Sequence, residues 1–221
     1  MSDTRRRARE LRDHALAAGE PTAWFERLYA HAGEDPASIP WADLAPNPHL
    51  VEWCEREGAR GPGRALKVGC GLGDDAEYLS SLGFDVTAFD VAPTAIAHCR
   101  ARFPSSRVDY RVADLLAPED LPGEGFDLVV EAYTLQVLPP EVHAEALARV
   151  AAWVRPGGRL LLVCRGREPG EACPSLHWPL TRPELQALTS AGLREERFED
   201  YLDDEVPPVR RFRVTFAREP G

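Results

Sequence analysis

Three glycines at alternate positions, Gly69, Gly71 and Gly73, follow a short apolar run (Ala65, Leu66, Val68) and lead into an amphipathic segment. A second apolar run, Val86 to Phe89, then ends in Asp90. Glycines at that spacing let the backbone turn sharply and approach a ligand closely. An acid at the end of the second strand can accept hydrogen bonds from ribose hydroxyls. The layout suits binding of a nucleoside-bearing cofactor.

Charge decides which nucleoside. A dinucleotide places its pyrophosphate on a helix N-terminus, where backbone N–H groups and the helix dipole favour an anion. Here the first turn of the helix carries Asp74, Asp75 and Glu77, whose charges would repel a pyrophosphate. They would tolerate a ligand bearing a sulfonium and an ammonium. The glycine spacing is GxGxG rather than the GxGxxG of dinucleotide sites. Both features point to S-adenosyl-L-methionine rather than NAD.

The surrounding elements must position these residues. Residues 4–18, 22–32 and about 49–57 read as helices, with a proline-rich stretch from Pro36 to Pro48 between the last two. The breaker cluster Gly58 to Gly63 marks entry to the core domain. From there strands are predicted at 65–69, 85–89, 108–112, 126–131 and 159–164. Helices are predicted at 74–82, 93–103, about 140–154 and 181–191. A polar loop holding Pro118, Pro122, Gly123 and Gly125 precedes the fourth strand. Arg159 to Cys164 is a near-continuous apolar run, as expected of a strand buried on both faces. Segments 194–201 and 208–217 read as an antiparallel pair, the second alternating with period two. The sum is an α/β fold, a doubly wound and mostly parallel seven-stranded sheet whose last strand is antiparallel, with helices on both faces. Residues 1–63 form an N-terminal helical lid segment and 64–221 the cofactor-binding domain.

Composition narrows the function classes. Hydrophobic residues make up 44% and charged residues 28%, which is ordinary for a globular protein. The net charge is −10, and no basic stripe follows Arg5-Arg6-Arg7, so a nucleic-acid partner is not expected. Those arginines read as the solvated face of a helix that also carries Glu10 and Asp13. No apolar run is long enough for a membrane span and no signal-peptide core is present, so a cytoplasmic protein with no membrane partner is expected. The five cysteines include no C-x-x-C pair, and the six histidines are isolated. Neither a disulfide framework nor a metal site is expected.

In this order and spacing the chain resembles the Rossmann-like S-adenosylmethionine-dependent methyltransferases over residues 64 to about 217. The resemblance rests on the loop 69–73, Asp90, Ala113-Asp114-Leu115, Phe126-Asp-Leu-Val-Val-Glu131 and Arg155-Pro-Gly-Gly-Arg-Leu-Leu-Leu. Trp24, Pro40-Trp41, Pro46-x-Pro48 and Leu138-Pro-Pro-Glu141 are similar to the thiopurine and thiol/halide methyltransferase group. That resemblance implies that Trp24 and Trp41 close over the cofactor, where an indole face can meet a sulfonium. Packing of the lid onto the core is the other reading of both. It further implies a cofactor site of Gly69, Cys70, Gly71, Gly73, Asp90, Val91, Asp114, Leu115 and Glu131, with Cys70 also a small packing residue in the loop. Catalytic candidates near the mouth of the sheet are Glu131, Tyr133 and His143, with Arg165 and His177 beside them. Glu131 could instead hold the cofactor's ammonium, and Tyr133 could be a core aromatic. Arg165 and Arg167 fit either an acidic substrate or a solvated loop.

Two departures stand out. Lys67 occupies the place where most of the superfamily has an acid. There it is expected to face a cationic ligand or lie solvated at the strand edge, so that replacing it with Asp or Val would strengthen cofactor binding. Ala132 stands where the narrower group tends to carry an aromatic, with Tyr133 one step on. The expected function is methyl transfer from S-adenosylmethionine to a small molecule, a thiol or other soft nucleophile, by in-line displacement in a monomer or homodimer. An O- or N-methyltransferase of a metabolite is the alternative. An NAD-dependent oxidoreductase and a non-catalytic cofactor-binding protein are the readings from other classes.

Overall fold

Alternation of short apolar strands with capped helices builds one sheet. A computed structural model describes residues 3–33, 35–117, 125–172 and 176–221. The predicted loop residues Pro118, Pro122 and Gly123, and Cys173, lie outside them. The strands are β1 (Arg64–Val68), β2 (Asp85–Asp90), β3 (Asp109–Val112), β4 (Phe126–Ala132), β5 (Val154–Arg165), β6 (Leu193–Leu202) and β7 (Arg210–Arg218). The helices are α1 (Asp3–Ala17), α2 (Ala23–Ala32), α3 (Pro48–Glu57), α4 (Asp74–Ser81), α5 (Pro93–Arg102), α6 (His143–Ala152) and α7 (Arg182–Ser190). The sheet order is β3-β2-β1-β4-β5-β7-β6. β7 is antiparallel to both neighbours, and the antiparallel last strand is what the sequence predicts.

Local chemistry accounts for most boundaries. Pro93 and Pro183 stand in the first turns of α5 and α7, where a missing N–H is harmless. Thr181 and Glu184 close a reciprocal capping box on α7. Two elements differ from the sequence reading. The predicted helix from Pro140 opens as a 3-10 turn at Pro140–Val142 and becomes α6 only at His143. β5 begins at Val154 rather than 159, absorbing Pro156-Gly157-Gly158 through a register irregularity against β4.

Both faces of the sheet are covered. Leu66, Val129, Leu160 and Val214 pack under α6 and α7. Ala65, Val130, Leu161 and Val163 pack with Trp53 of α3, Leu79 of α4 and Ile96 of α5. The Trp53 indole also donates to the Thr215 hydroxyl at 2.8 Å. The first two helices share their apolar cluster with the body. Trp24, Phe25, Leu28 and Tyr29 pack with Leu72, Ala92, Ala95 and Val137. No helix among the described residues is long and apolar enough to cross a membrane.

Candidate functional site

The strand order reverses between β1 and β4, and a cavity of about 810 Å³ opens there at the carboxyl ends of the strands. Doubly wound sheets bind ligands at that switch point, and this volume suits a cofactor plus a small substrate. The glycine loop forms its floor. Gly69 has φ +56°, and a Cβ there would lie 2.2 Å from Thr134 Oγ1, so a side chain would be both strained and crowded. Asp90 ends β2 with both carboxylate oxygens on backbone: Gly71 N–H donates to Oδ2 and Ala92 N–H to Oδ1, each at 3.0 Å. Burial raises its pKa against those two bonds. Asp114 accepts from Leu116 N–H at 2.8 Å and from the Thr22 hydroxyl at 3.0 Å, which ties the segment before α2 to the core.

Of the residues expected at the cofactor, Trp41, Gly69, Cys70 and Gly71 line this cavity, as do Asp90, Val91, Asp114 and Leu115. The Trp41 indole donates to the Tyr29 hydroxyl at 3.0 Å. Trp24 and Gly73 lie outside the lining. Trp24 is fully buried and stacks on Phe25, so packing, the second reading of this tryptophan, is what the structure shows. Gly73 has φ +94° at the start of α4, where a Cβ would lie 2.6 Å from the Tyr110 hydroxyl. Its part is to let β3 and α4 pack closely.

The catalytic candidates divide. Tyr133 lines the cavity in the left-handed region, φ +68°, a costly backbone for a side chain of this size. Arg211 lies 4.7 Å over its ring, and burial pushes its hydroxyl up to about 12. Glu131 does not line the cavity. It is fully buried, and Oε1 accepts Thr134 N–H at 2.7 Å and Leu135 N–H at 2.9 Å. Its carboxylate therefore holds the turn that presents Tyr133 and Thr134, which corrects both roles expected of it. His143 is also buried off the cavity. Its Nε2 meets Leu138 O at 2.9 Å and its Nδ1 meets Glu184 at 3.2 Å. Burial would raise the Glu184 carboxyl, yet bonds from His143 and Thr181 bring it down to about 2. His143 thus fixes α6 to α7, and a catalytic place for it does not fit.

Lys67 is not solvated at an edge; it lines the cavity from below, where the other expectation, that it faces the ligand, places it. It is 2% exposed in the middle of the sheet, donating to Val68 O at 2.8 Å and Gly69 O at 3.2 Å, with Asp75 at 3.7 Å. The acids of α4 are likewise not bare. Arg102 binds both oxygens of Asp74 at 2.8 and 2.9 Å, and Glu77 accepts the Tyr110 hydroxyl at 2.7 Å. The repulsion expected from this turn is therefore smaller than its formal charge suggests.

The far end of the cavity holds residues that spacing did not single out. Asn47 and His49 come from the start of α3, Gln136 from the turn after β4, and Asp203, Glu205 and Arg211 from the β6–β7 hairpin. Hairpin contacts depend on long-range pairing, so nothing local to residues 203–211 announced them. Arg165 and His177 line the same end. Burial, then Arg165 and other arginines, lower the His177 pKa to about 3, so its imidazole is neutral and a weak base. Burial also lowers His49. Among the described residues no three His, Cys, Asp or Glu side chains are grouped to hold a metal.

With this geometry in hand, comparison with known proteins places the central part of the chain. Residues 65–158 match the methyltransferase-domain family. The methyltransferase-like segment contains the glycine loop, Asp90, Asp114 and the start of β5. A similar relative is a ubiquinone biosynthesis O-methyltransferase of Xanthomonas oryzae pv. oryzae, 38% identical over 112 residues, which cover 48% of this chain and 44% of the relative. The chain spans about half the length of such relatives, 44% of this one and 52% of that from Xanthomonas campestris pv. campestris. Among solved structures, one from work on conversion of a disulfide bond into a thioacetal group during echinomycin biosynthesis aligns with TM-score 0.71 and 24% identity. That alignment covers 90% of this chain and 91% of the other. The 1,6-didemethyltoxoflavin-N1-methyltransferase of Burkholderia thailandensis, solved with bound 1,6-didemethyltoxoflavin and S-adenosylhomocysteine, aligns at TM-score 0.69 and 23% identity. It covers 93% of this chain and 90% of its own. At these identities the structures share the fold.

Proposed function

We propose that this protein is an S-adenosylmethionine-dependent methyltransferase acting on a small molecule. The observation that carries the reading is one cavity in which the glycine loop, Asp90 and Asp114-Leu115 face the aromatic pair Tyr29 and Trp41. Asp90 receives the ribose hydroxyls, the loop Gly69–Gly71 the methionine end, and Val91 and Leu115 the adenine faces. Residues 1–63 act as the lid, with Trp41 as its cavity-facing indole. Methyl transfer from a sulfonium is an in-line displacement in which the cofactor brings its own leaving group. The chain's share is alignment of the acceptor and exclusion of water.

The acceptor is an atom that is already nucleophilic. His177, at about 3, and His49, lowered by burial, are poor bases near neutral pH. A thiol, as in the thiol methyltransferase group the lid resembles, needs little help. An acidic hydroxyl is the second reading, favoured by the O-methyltransferase names of the sequence relatives. Calorimetric titration with S-adenosylmethionine, S-adenosylhomocysteine and NAD tests the cofactor: both adenosyl ligands bind and NAD does not. Asp90→Ala weakens their binding by about 1.5–3 kcal/mol, the range for hydrogen bonds to a charged group. Binding of NAD alone, or an unchanged affinity in the variant, refutes the assignment.

A further inference from the structure

We propose that Arg165 forms a carboxylate-binding subsite at the acceptor end of the cavity, so that the methyl acceptor is a small monoanionic acid. The inference rests on the methyltransferase reading above and names its substrate class. Arg165 ends β5 and lies directly opposite Arg211 of β7 in the antiparallel register. Like charges facing across a strand pair are destabilising unless each guanidinium has acceptors of its own. Arg211 has its own partners: Nε donates to Asp203 at 2.6 Å and Nη2 to Glu205. Among the described residues Arg165 pairs only with Glu205, at 4.0 Å, and its Nε is buried with no hydrogen-bond partner. A desolvated guanidinium without matched acceptors is costly.

The backbone that carries the group is also fixed. Gln136 Oε1 accepts the Arg165 backbone N–H at 2.6 Å, and both residues line the cavity. The side chain is 22% exposed, so the cavity reaches it. His177, on the same wall, is kept neutral by burial and by the surrounding arginines. A planar fork of N–H donors matches the two oxygens of a carboxylate. Asp203, Asp204 and Glu205 line this end too, and they would oppose a doubly charged phosphate.

The test reads acid against amide. Benzoate, 2-mercaptobenzoate and 3-mercaptopropionate, each paired with its amide, are titrated calorimetrically into protein saturated with S-adenosylhomocysteine and into free protein. At least one acid binds ten-fold or more tightly than its amide. Arg165→Gln brings that ratio below three while leaving S-adenosylhomocysteine affinity unchanged, and Arg165→Lys retains part of it. A purely structural role would weaken acid and amide alike, leaving the ratio intact. Ratios near one for all three pairs in the wild type, or an unchanged ratio in Arg165→Gln, overturn the proposal. Phenyl phosphate binding more tightly than benzoate overturns the choice of carboxylate. Failure of S-adenosylhomocysteine to bind would instead strike the methyltransferase reading, because the acid-to-amide ratio is also measured without it.

Discussion

Replacing Lys67 with methionine is expected to lower folding stability by about 3–5 kcal/mol, the usual consequence of removing one member of a buried charge cluster. The ammonium sits under the glycine loop at 2% exposure, bonded to two backbone carbonyls and 3.7 Å from Asp75. It also lowers the pKa values of Asp90 and Glu131, both of which burial raises. Methionine has similar length, so packing is largely kept while Val68 O and Gly69 O lose their donor. Without the ammonium, the neighbouring carboxylates are harder to ionise, so the loss grows from pH 5 to pH 8. Adenosyl-ligand affinity falls as well, since Gly69 and Asp90 both depend on the loop's geometry. Urea unfolding of both proteins across that pH range measures the effect. A variant as stable as the wild type at pH 8 would mean that the buried lysine adds nothing to the fold, as expected if its replacement leaves the fold intact.

That reversal shows where local reading stops. The glycine loop, the acid at the end of β2 and the β/α alternation were legible because each obeys a short-range rule: positive φ needs glycine, a buried strand is apolar, a helix start is capped. The mostly parallel sheet followed from alternation and right-handed crossover. Its strand order did not, because β7 inserts between β5 and β6 only through long-range pairing. Of the two places open to Lys67, the solvated edge fails and the cavity lining stands, although its burial was not legible. What buries it is Asp75 on α4 together with Glu131 on β4, and no window of sequence joins the three. His143 was misjudged for a related reason. Its partner Glu184 lies 41 residues away on a helix that packs beside it only after folding. Trp24 and Trp41 carried the same expectation, yet only Trp41 reaches the cavity, because helix α2 turns Trp24 toward Phe25 and the core. Arg211 was hidden in an alternating strand, where its partners Asp203 and Glu205 arrive through the hairpin turn.

Glu131 yields the second large effect, and its sign follows from where its proton sits. Burial pushes this carboxyl up to about 7, against hydrogen bonds from Leu135 and Thr134 and the charge of Lys67. Oε1 takes both backbone bonds, while Oε2 is buried without a partner. In the unfolded chain the group titrates near 4.3, so between about 4.3 and 7 the native state binds more protons than the unfolded one. Stability therefore falls as pH rises through that window, and the full cost stands above it. At about 1.4 kcal/mol per pKa unit, the cost at pH 8 is about 3–4 kcal/mol. Glu131→Gln keeps an acceptor for Thr134 and Leu135 and removes the charge. The variant is expected to match the wild type near pH 4 and to exceed it by about 3 kcal/mol at pH 8. Thermal unfolding from pH 4 to pH 8 reads the difference, and a gap that does not widen with pH would show that Glu131 is already relieved by Lys67. Because Glu131 shapes the turn rather than touching the cavity, the variant also keeps its affinity for S-adenosylhomocysteine. A large loss of that affinity would return the carboxylate to the cofactor's ammonium, the role from which the buried geometry removes it.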